Sequence, residues 1–304
     1  MKHQTALRWI IPLIGLLALF AASMGLFWSS PGTPTSFTTL RGESVSLVGH
    51  GLYRHDTVSS AAQEQAQDAV TLLVGLPLLV TAAWLAFGGS LRGQLLLTGT
   101  LGYFLYTYTS MAFGTAYNAL FLVYVALFSL SLWAFVLSML SIDLAGLPQR
   151  FSPQLPRRGI AGLLFGIGGF LLVAWLGRIV PALLRDQPPI GLESSTTLFI
   201  QVLDLAVIVP LAFVSGVLLL RRNAWGYLLA SVFVMKIVTM GLAVSAMGIN
   251  MLRIGATTSA VELVIFPALT LINLVAAGLL LKHVEEPRPA TQPRRVPLAK
   301  SPSP

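Results

Sequence analysis

Cysteine is absent from this 304-residue sequence, which removes thiol redox chemistry, thiolate metal sites, iron–sulfur clusters and disulfides together. Histidine is scarce. His3, His50, His55 and His283 are the four present, and none lies inside an apolar run, which argues against histidine-ligated haem within a membrane. No glycine-rich phosphate loop of the form G-x-x-x-x-G-K-[ST] occurs, so an ATP-driven pump would need its nucleotide domain on another chain. Charge is also in short supply, at 10% of residues against 55% hydrophobic, with mean hydropathy +0.80. A soluble domain carries about a quarter charged residues. So much apolar surface has no aqueous core large enough to hide it, and the solvent is mostly lipid. No cofactor is expected.

What the sequence does have is long apolar runs. A membrane span needs about 20 mainly apolar residues, and eight runs qualify: Arg8–Trp28, Ala69–Phe87, Gln94–Gly114, Asn118–Leu140, Ile160–Pro181, Leu198–Leu220, Gly226–Gly248 and Val261–Leu281. The expected fold class is therefore an all-α membrane protein with eight transmembrane helices and a small extracytoplasmic loop segment. Pro77, Pro210 and Pro267 mark kinks that membrane helices tolerate.

Orientation follows from Lys and Arg in the short loops. With a cytoplasmic N-terminus, that face collects thirteen basic residues against three acids, and the opposite face five against seven. The basic pI of about 10.2 then reflects the positive-inside rule and attraction to anionic headgroups, not nucleic-acid binding. Lys2, His3 and Arg8 with Ala21-Ala22-Ser23 have the look of a signal peptide, but the apolar run continues to Trp28, which favours an uncleaved helix. The tail Glu286–Pro304, rich in Pro, Arg and Ser, is expected to be disordered.

Sliding the chain along itself until Pro77 meets Pro210 also superposes Leu72, Val74, Leu78, Leu85, Gly93, Leu95 and Leu96 on Leu205, Val207, Leu211, Leu218, Gly226, Leu228 and Leu229. The Pro and Gly matches carry more weight than the leucines, since both punctuate a helix–short loop–helix unit. Two parallel four-helix halves are one reading and chance similarity of leucine-rich helices the other. On the first, residues 1–144, with outer loop 29–68, form one half and 160–284 the other. Segment 145–159 links them on the cytoplasmic side, and 285–304 is a tail.

Polar groups at bilayer depth are costly and need a reason. Asp204 and Lys236 fall within neighbouring spans at similar depth, so an Asp204–Lys236 ion pair is expected, either functional or fixing helix packing. In the third span Thr100, Tyr103, Thr107 and Ser110 form one stripe at helical spacing, flanked by Tyr106. The same offset sets Tyr103 on Lys236 and Tyr106 on Thr239, which suggests a shared polar cavity; interhelical hydrogen bonding is the alternative. Gln201 joins this candidate pathway from the outer side.

An outer-face cluster gathers Arg54, His55, Asp56, Asp68, Asn118 and Glu262, with Tyr117, Arg178 and Asn250 at neighbouring helix ends. In segment 29–68, Val45 and Leu47 alternate with Ser44 and Ser46 as a short strand, and Gly49-His50-Gly51 reads as a turn. Asp56 or Thr57 caps a helix through Ser59–Gln67 into the second span. His50, His55 and Asp56 are weak metal candidates, and no metal is expected.

Gly102–Leu105 followed by Tyr106-Thr107-Tyr108, then Tyr117-Asn118 leading into Leu122–Leu132, resembles bacterial multi-pass membrane proteins of no assigned function, over about Gly51–Phe135. The resemblance implies a bacterial cytoplasmic membrane and no site. Three function classes stay open: transport or binding of a small molecule or ion between helices, a scaffold or accessory subunit of a membrane complex, and an enzyme with an outer-face active site. The expected partners are the lipid bilayer, a small-molecule or ion ligand and another membrane protein, with no nucleic acid.

Overall fold

Lipid offers no hydrogen bonds to a bare backbone, so a chain this apolar must satisfy its amides within helices. A computed structural model describes residues 2–256 and 259–286, and over these the chain is mostly helical. Eight helices follow in order: α1 (Gln4–Phe27), α2 (Val58–Phe87), α3 (Leu91–Gly114), α4 (Phe121–Leu140), α5 (Arg157–Leu184), α6 (Phe199–Leu220), α7 (Ala224–Arg253) and α8 (Val261–Lys282). Seven are long and apolar enough to cross a membrane, and the chain is a multi-pass helical membrane protein. The exception is α3, which has the length but carries too many Thr, Tyr, Ser and Gly residues to meet the same hydropathy. The expected tail beyond Glu286 lies outside the described residues.

The helices run alternately between two faces. Gln4 donates to the Phe87 carbonyl, and Glu286 sits at the start of α3, so both described ends of the chain share one face. On the other face, Asn250 donates to the Ala62 carbonyl. Strands β1 (Thr35–Thr38) and β2 (Ser44–Leu47) pair antiparallel there, with Phe37 opposite Val45. The alternation at Val45 and Leu47 foretold β2, while its partner lies in the Ser- and Thr-rich stretch that carries no such signal. Thr57 caps α2 by accepting from the Ser60 N–H, as the sequence suggested.

Three helices open with or contain a single π turn just before proline: Thr71–Gly75 before Pro77, Asp204–Ile208 before Pro210, and Val261–Ile265 before Pro267. Proline lacks an N–H and collides with the carbonyl four residues back, and widening that turn by one residue relieves the clash without breaking the helix.

Two of these helices match in detail. The π turns Thr71–Gly75 and Asp204–Ile208, the segments Leu76–Phe87 and Val209–Leu220, and the helix starts Leu91 and Ala224 all keep the offset that carries Pro77 to Pro210. The connecting turns match as well. Gly89 (φ 92°) and Arg222 (φ 56°) occupy the same left-handed position, and Ser90 and Asn223 cap the next helix from the same place. Gly93 and Gly226 lie against the preceding helix. A Cβ at Gly93 would sit 2.5 Å from the Ala86 nitrogen, and one at Gly226 would run into the Leu218 carbonyl carbon.

Buried apolar side chains form two clusters. One is built mainly from α1 to α4, and the other chiefly from α5 to α8 with the 142–155 connection. The matching helices α3 and α7 cross between them, where the Gly99 backbone abuts Met235.

Candidate functional site

The crossing of α3 and α7 leaves a cavity of about 290 Å³, closed by α2, α5, α6 and α8. Its floor holds Asp204, Lys236 and Tyr106. The chemistry of that floor starts from the π turn of α6, which begins at Asp204 and gives that residue's carbonyl to the Val209 N–H. The carboxylate is then held by two donors from other helices: Tyr106 Oη at 2.8 Å on Oδ1 and Trp175 Nε1 at 2.9 Å on Oδ2. Charge-assisted bonds of this kind are the ones that make a buried carboxylate tolerable.

Lys236 does not pair with it directly. Among the described residues the one ion pair within 4.0 Å is Arg92–Glu286, at the face that carries the chain ends. The expected Asp204–Lys236 ion pair is therefore corrected to a bridged arrangement. Tyr106 stands between the two, with its hydroxyl on the carboxylate and its ring face 3.8 Å from Lys236 Nζ, a cation–π contact. A ring inserted between the charges separates them while stabilising both. Lys236 itself is 6% exposed, and no hydrogen bond from its ammonium is made among the described residues.

The rest of the stripe divides. Tyr106, Thr107 and Ser110 line the cavity; Tyr103 and Gln201 are buried and do not. Tyr103 turns into the first four helices, where its hydroxyl accepts from Gln67 Nε2 at 2.7 Å and lies 2.9 Å from Thr71 Oγ1. Gln67 also donates to Thr107. Thr100 and Ser110 spend their hydroxyls on carbonyls four residues back, the ordinary habit of Thr and Ser in apolar helices.

The residues expected to gather at an outer face do not form one cluster. Arg54 and His55 are exposed and contact each other. Asp56 and Asp68 are buried. Asp56 accepts from the Ala116 N–H at 2.7 Å, and Asp68 from Tyr53 Oη at 2.5 Å. Asn118 caps the turn before α4 through the Leu120 N–H. Glu262 alone reaches the cavity, with one carboxylate oxygen accepting from the Ser259 N–H. Asp56 lies outside the spans, and burial pushes its carboxyl up to about 6. His50 contacts the Val48 carbonyl. Among the described residues no group of three His, Asp or Glu is arranged to hold a metal ion.

The mouth brings together residues that sequence reasoning passed over: Ser60, Gln63 and Glu64 from α2, Thr115 after α3, and Phe199 at the start of α6. Glu193, in the loop before α6, accepts from both Thr57 and Ser59 at the start of α2, and Arg41 binds the carbonyls of Glu193 and Ser195. The α5–α6 loop is thus fastened over the side of the mouth. Trp175 was also missed. An indole N–H deep in an apolar helix needs an acceptor, and that need was the available signal.

Neither family models, curated proteins nor solved structures gave a match to this chain.

Proposed function

We propose that the chain is an eight-span protein of a bacterial cytoplasmic membrane that binds a small molecule or ion in the α3–α7 cavity and passes it across. In this reading α3 is the eighth span, shielded from lipid by its neighbours, and both chain ends face the cytoplasm, where the basic residues collect. The two halves are a parallel duplication. Support comes from the recurrence, at one constant offset, of the π turn, the left-handed turn residue, the helix cap and the close-packed glycine. Chance resemblance of apolar helices gives no reason for four unlike features to keep one spacing.

The observation that carries the functional reading is the cavity itself. It lies between the halves, it is open to solute-sized volume, and its floor holds two of the few ionisable groups within the spans. Transporters with internal repeats place their sites at such interfaces, near broken helices. The π turn at Asp204 is a local widening of that kind.

The natural absence of cysteine makes the test direct. Ser110→Cys, on the cavity wall, is expected to react with a membrane-impermeant thiol reagent applied from the periplasmic side of intact cells. Ser152→Cys should react only when the cytoplasmic face is opened, and Ser195→Cys without opening. A Ser110→Cys thiol inert from both sides would remove the solute-accessible cavity, and Ser152→Cys reactive in intact cells would reverse the topology.

A further inference from the structure

The two halves differ in how their matching polar positions are satisfied, and that difference specifies what the cavity lacks. In the first half Thr71, Tyr103, Gln67 and Thr107 close on one another through hydrogen bonds of 2.7 to 3.0 Å, all buried. Their counterparts in the second half are Asp204, Lys236, Ile200 and Met240. The pair at the π turn and mid-helix is again polar, but the amide and hydroxyl that complete the first set are replaced by two apolar side chains on the cavity wall. Asp204 finds its donors elsewhere, in Tyr106 and Trp175. Lys236 finds no acceptor among the described residues and has only the Tyr106 ring.

The floor therefore presents spare N–H donors and a positive charge, with its one carboxylate already occupied. Ile167, Phe170, Leu171, Ile237 and Phe266 make the adjoining wall apolar. We propose that the cavity takes a compact organic anion of the monocarboxylate class. Its head accepts from Lys236 where the first half places the Gln67 amide, and its hydrocarbon body lies along that wall. A buried ammonium without acceptors is costly, and a carboxylate supplies both the acceptors and the opposite charge. This inference rests on the cavity being a binding site, and it adds the chemistry of the ligand. Glu64 and Glu262 stand at the mouth, so a cationic ligand would be held there and would not need Lys236.

The test uses the full chain in detergent with three probes of equal length: hexanoate, 1-hexanol and hexylammonium. Hexanoate is expected to raise the thermal midpoint of the wild type and of Lys236→Arg, and to bind Lys236→Met at least tenfold more weakly. The alcohol and the amine should give no comparable shift. An equal shift from either, or hexanoate binding unchanged by Lys236→Met, overturns the proposal. Protection of Ser110→Cys from a thiol reagent provides a second readout with Lys236 intact. If 1-hexanol or hexylammonium protects that thiol and hexanoate does not, the cavity remains a binding site and the anion class is wrong. If none of the three protects it, both readings fall.

Discussion

In the proposed duplication helices α3 and α7 occupy matching places, yet one carries a closed neutral polar set and the other an open charged one. At Tyr103 the hydroxyl is partnered from within the chain by Gln67 Nε2 and Thr71 Oγ1. At its counterpart Lys236 the chain provides a ring face and leaves the donors spare. In a low-dielectric interior these are different commitments. A satisfied neutral network rigidifies, while a charge lacking acceptors invites water or a ligand. On the proposed reading the first half is the scaffold and the second the working side. At the face that carries the β1–β2 hairpin the pattern is reversed. Asp56, Glu64 and Asp68 sit in the first half, and their counterparts in the second are Pro189, Thr197 and Gln201.

The comparison breaks most visibly at its shared part, the helix–turn–helix unit. Gly93→Val and Gly226→Val each drive new atoms into the backbone of the preceding helix, where the neighbour cannot rotate away. Overpacking costs about 1–3 kcal/mol, and a clash with backbone atoms belongs at the upper end of that range. Both variants should lower the thermal midpoint by similar amounts. If one is tolerated and the other is not, the two turns are not structural equivalents.

The next largest effect tests that reversal at the hairpin face. Burial holds the Asp56 carboxyl at about 6 in the folded chain, above the ordinary value near 3.9. The fold thus favours the protonated form. That contribution is complete below about pH 4 and is lost as pH rises through about 6, so wild-type stability should fall across this interval relative to Asp56→Asn by about 2–3 kcal/mol. Thermal midpoints of the two proteins measured from pH 4 to 7 check it. Parallel curves would mean that Asp56 is solvated, and that Asp56, Glu64 and Asp68 are not buried as a group.

A smaller contrast separates the two tyrosines. Tyr106→Phe keeps the ring beneath Lys236 but removes a donor from a buried carboxylate, at a cost of about 2 kcal/mol. Tyr103→Phe removes a neutral hydroxyl whose partner Gln67 still has Thr107, at about 1 kcal/mol. Tyr106→Phe should also change hexanoate binding, and Tyr103→Phe should not. Equal effects on binding would erase the distinction between a working side and a scaffold.

Much of the scaffold was legible because it is written in period and punctuation. Apolar runs marked the helices to within a few residues at most ends, and Pro77, Pro210, Gly93 and Gly226 exposed the internal offset. The candidate site was half legible. Asp204, Lys236 and Tyr106 stood out because charge and hydroxyl are rare at depth. Their arrangement did not, since a pair of opposite charges implies a contact and gives no hint of a ring placed between them. Trp175 and Gln67 were hidden for a different reason. Each is ordinary for its local segment and acquires meaning from a partner 29 or 36 residues away. The outer-face grouping failed because sharing a level in the membrane does not mean sharing a site. Asp68 turns inward to Tyr53, and Arg54 turns to solvent.

The smallest expected effect lies at the opposite face, where Glu286 fastens the end of α8 to the start of α3. Its carboxylate accepts from Ser90 Oγ and from the N–H groups of Leu91 and Arg92. Desolvation pushes its carboxyl up, but these bonds and the Arg92 guanidinium together outweigh it and hold the group below the usual glutamate range. The sign is opposite to that of Asp56: the contribution is present above the unfolded value and is lost as pH falls through the folded one. The site is more than a third exposed on the arginine side, with Arg92 at 3.9 Å, so solvent screens the pair. Glu286→Gln should then cost no more than about 1 kcal/mol near neutral pH. The matching start of α7 is capped, among the described residues, by Asn223 alone. Removing Glu286 therefore makes the first half's turn resemble the second's, and amide exchange at Leu91 and Arg92 should rise toward that at Ala224 and Trp225. Exchange that stays slow after the substitution would show that the C-terminal segment adds nothing to this cap, and that the two turns are stabilised by their own residues.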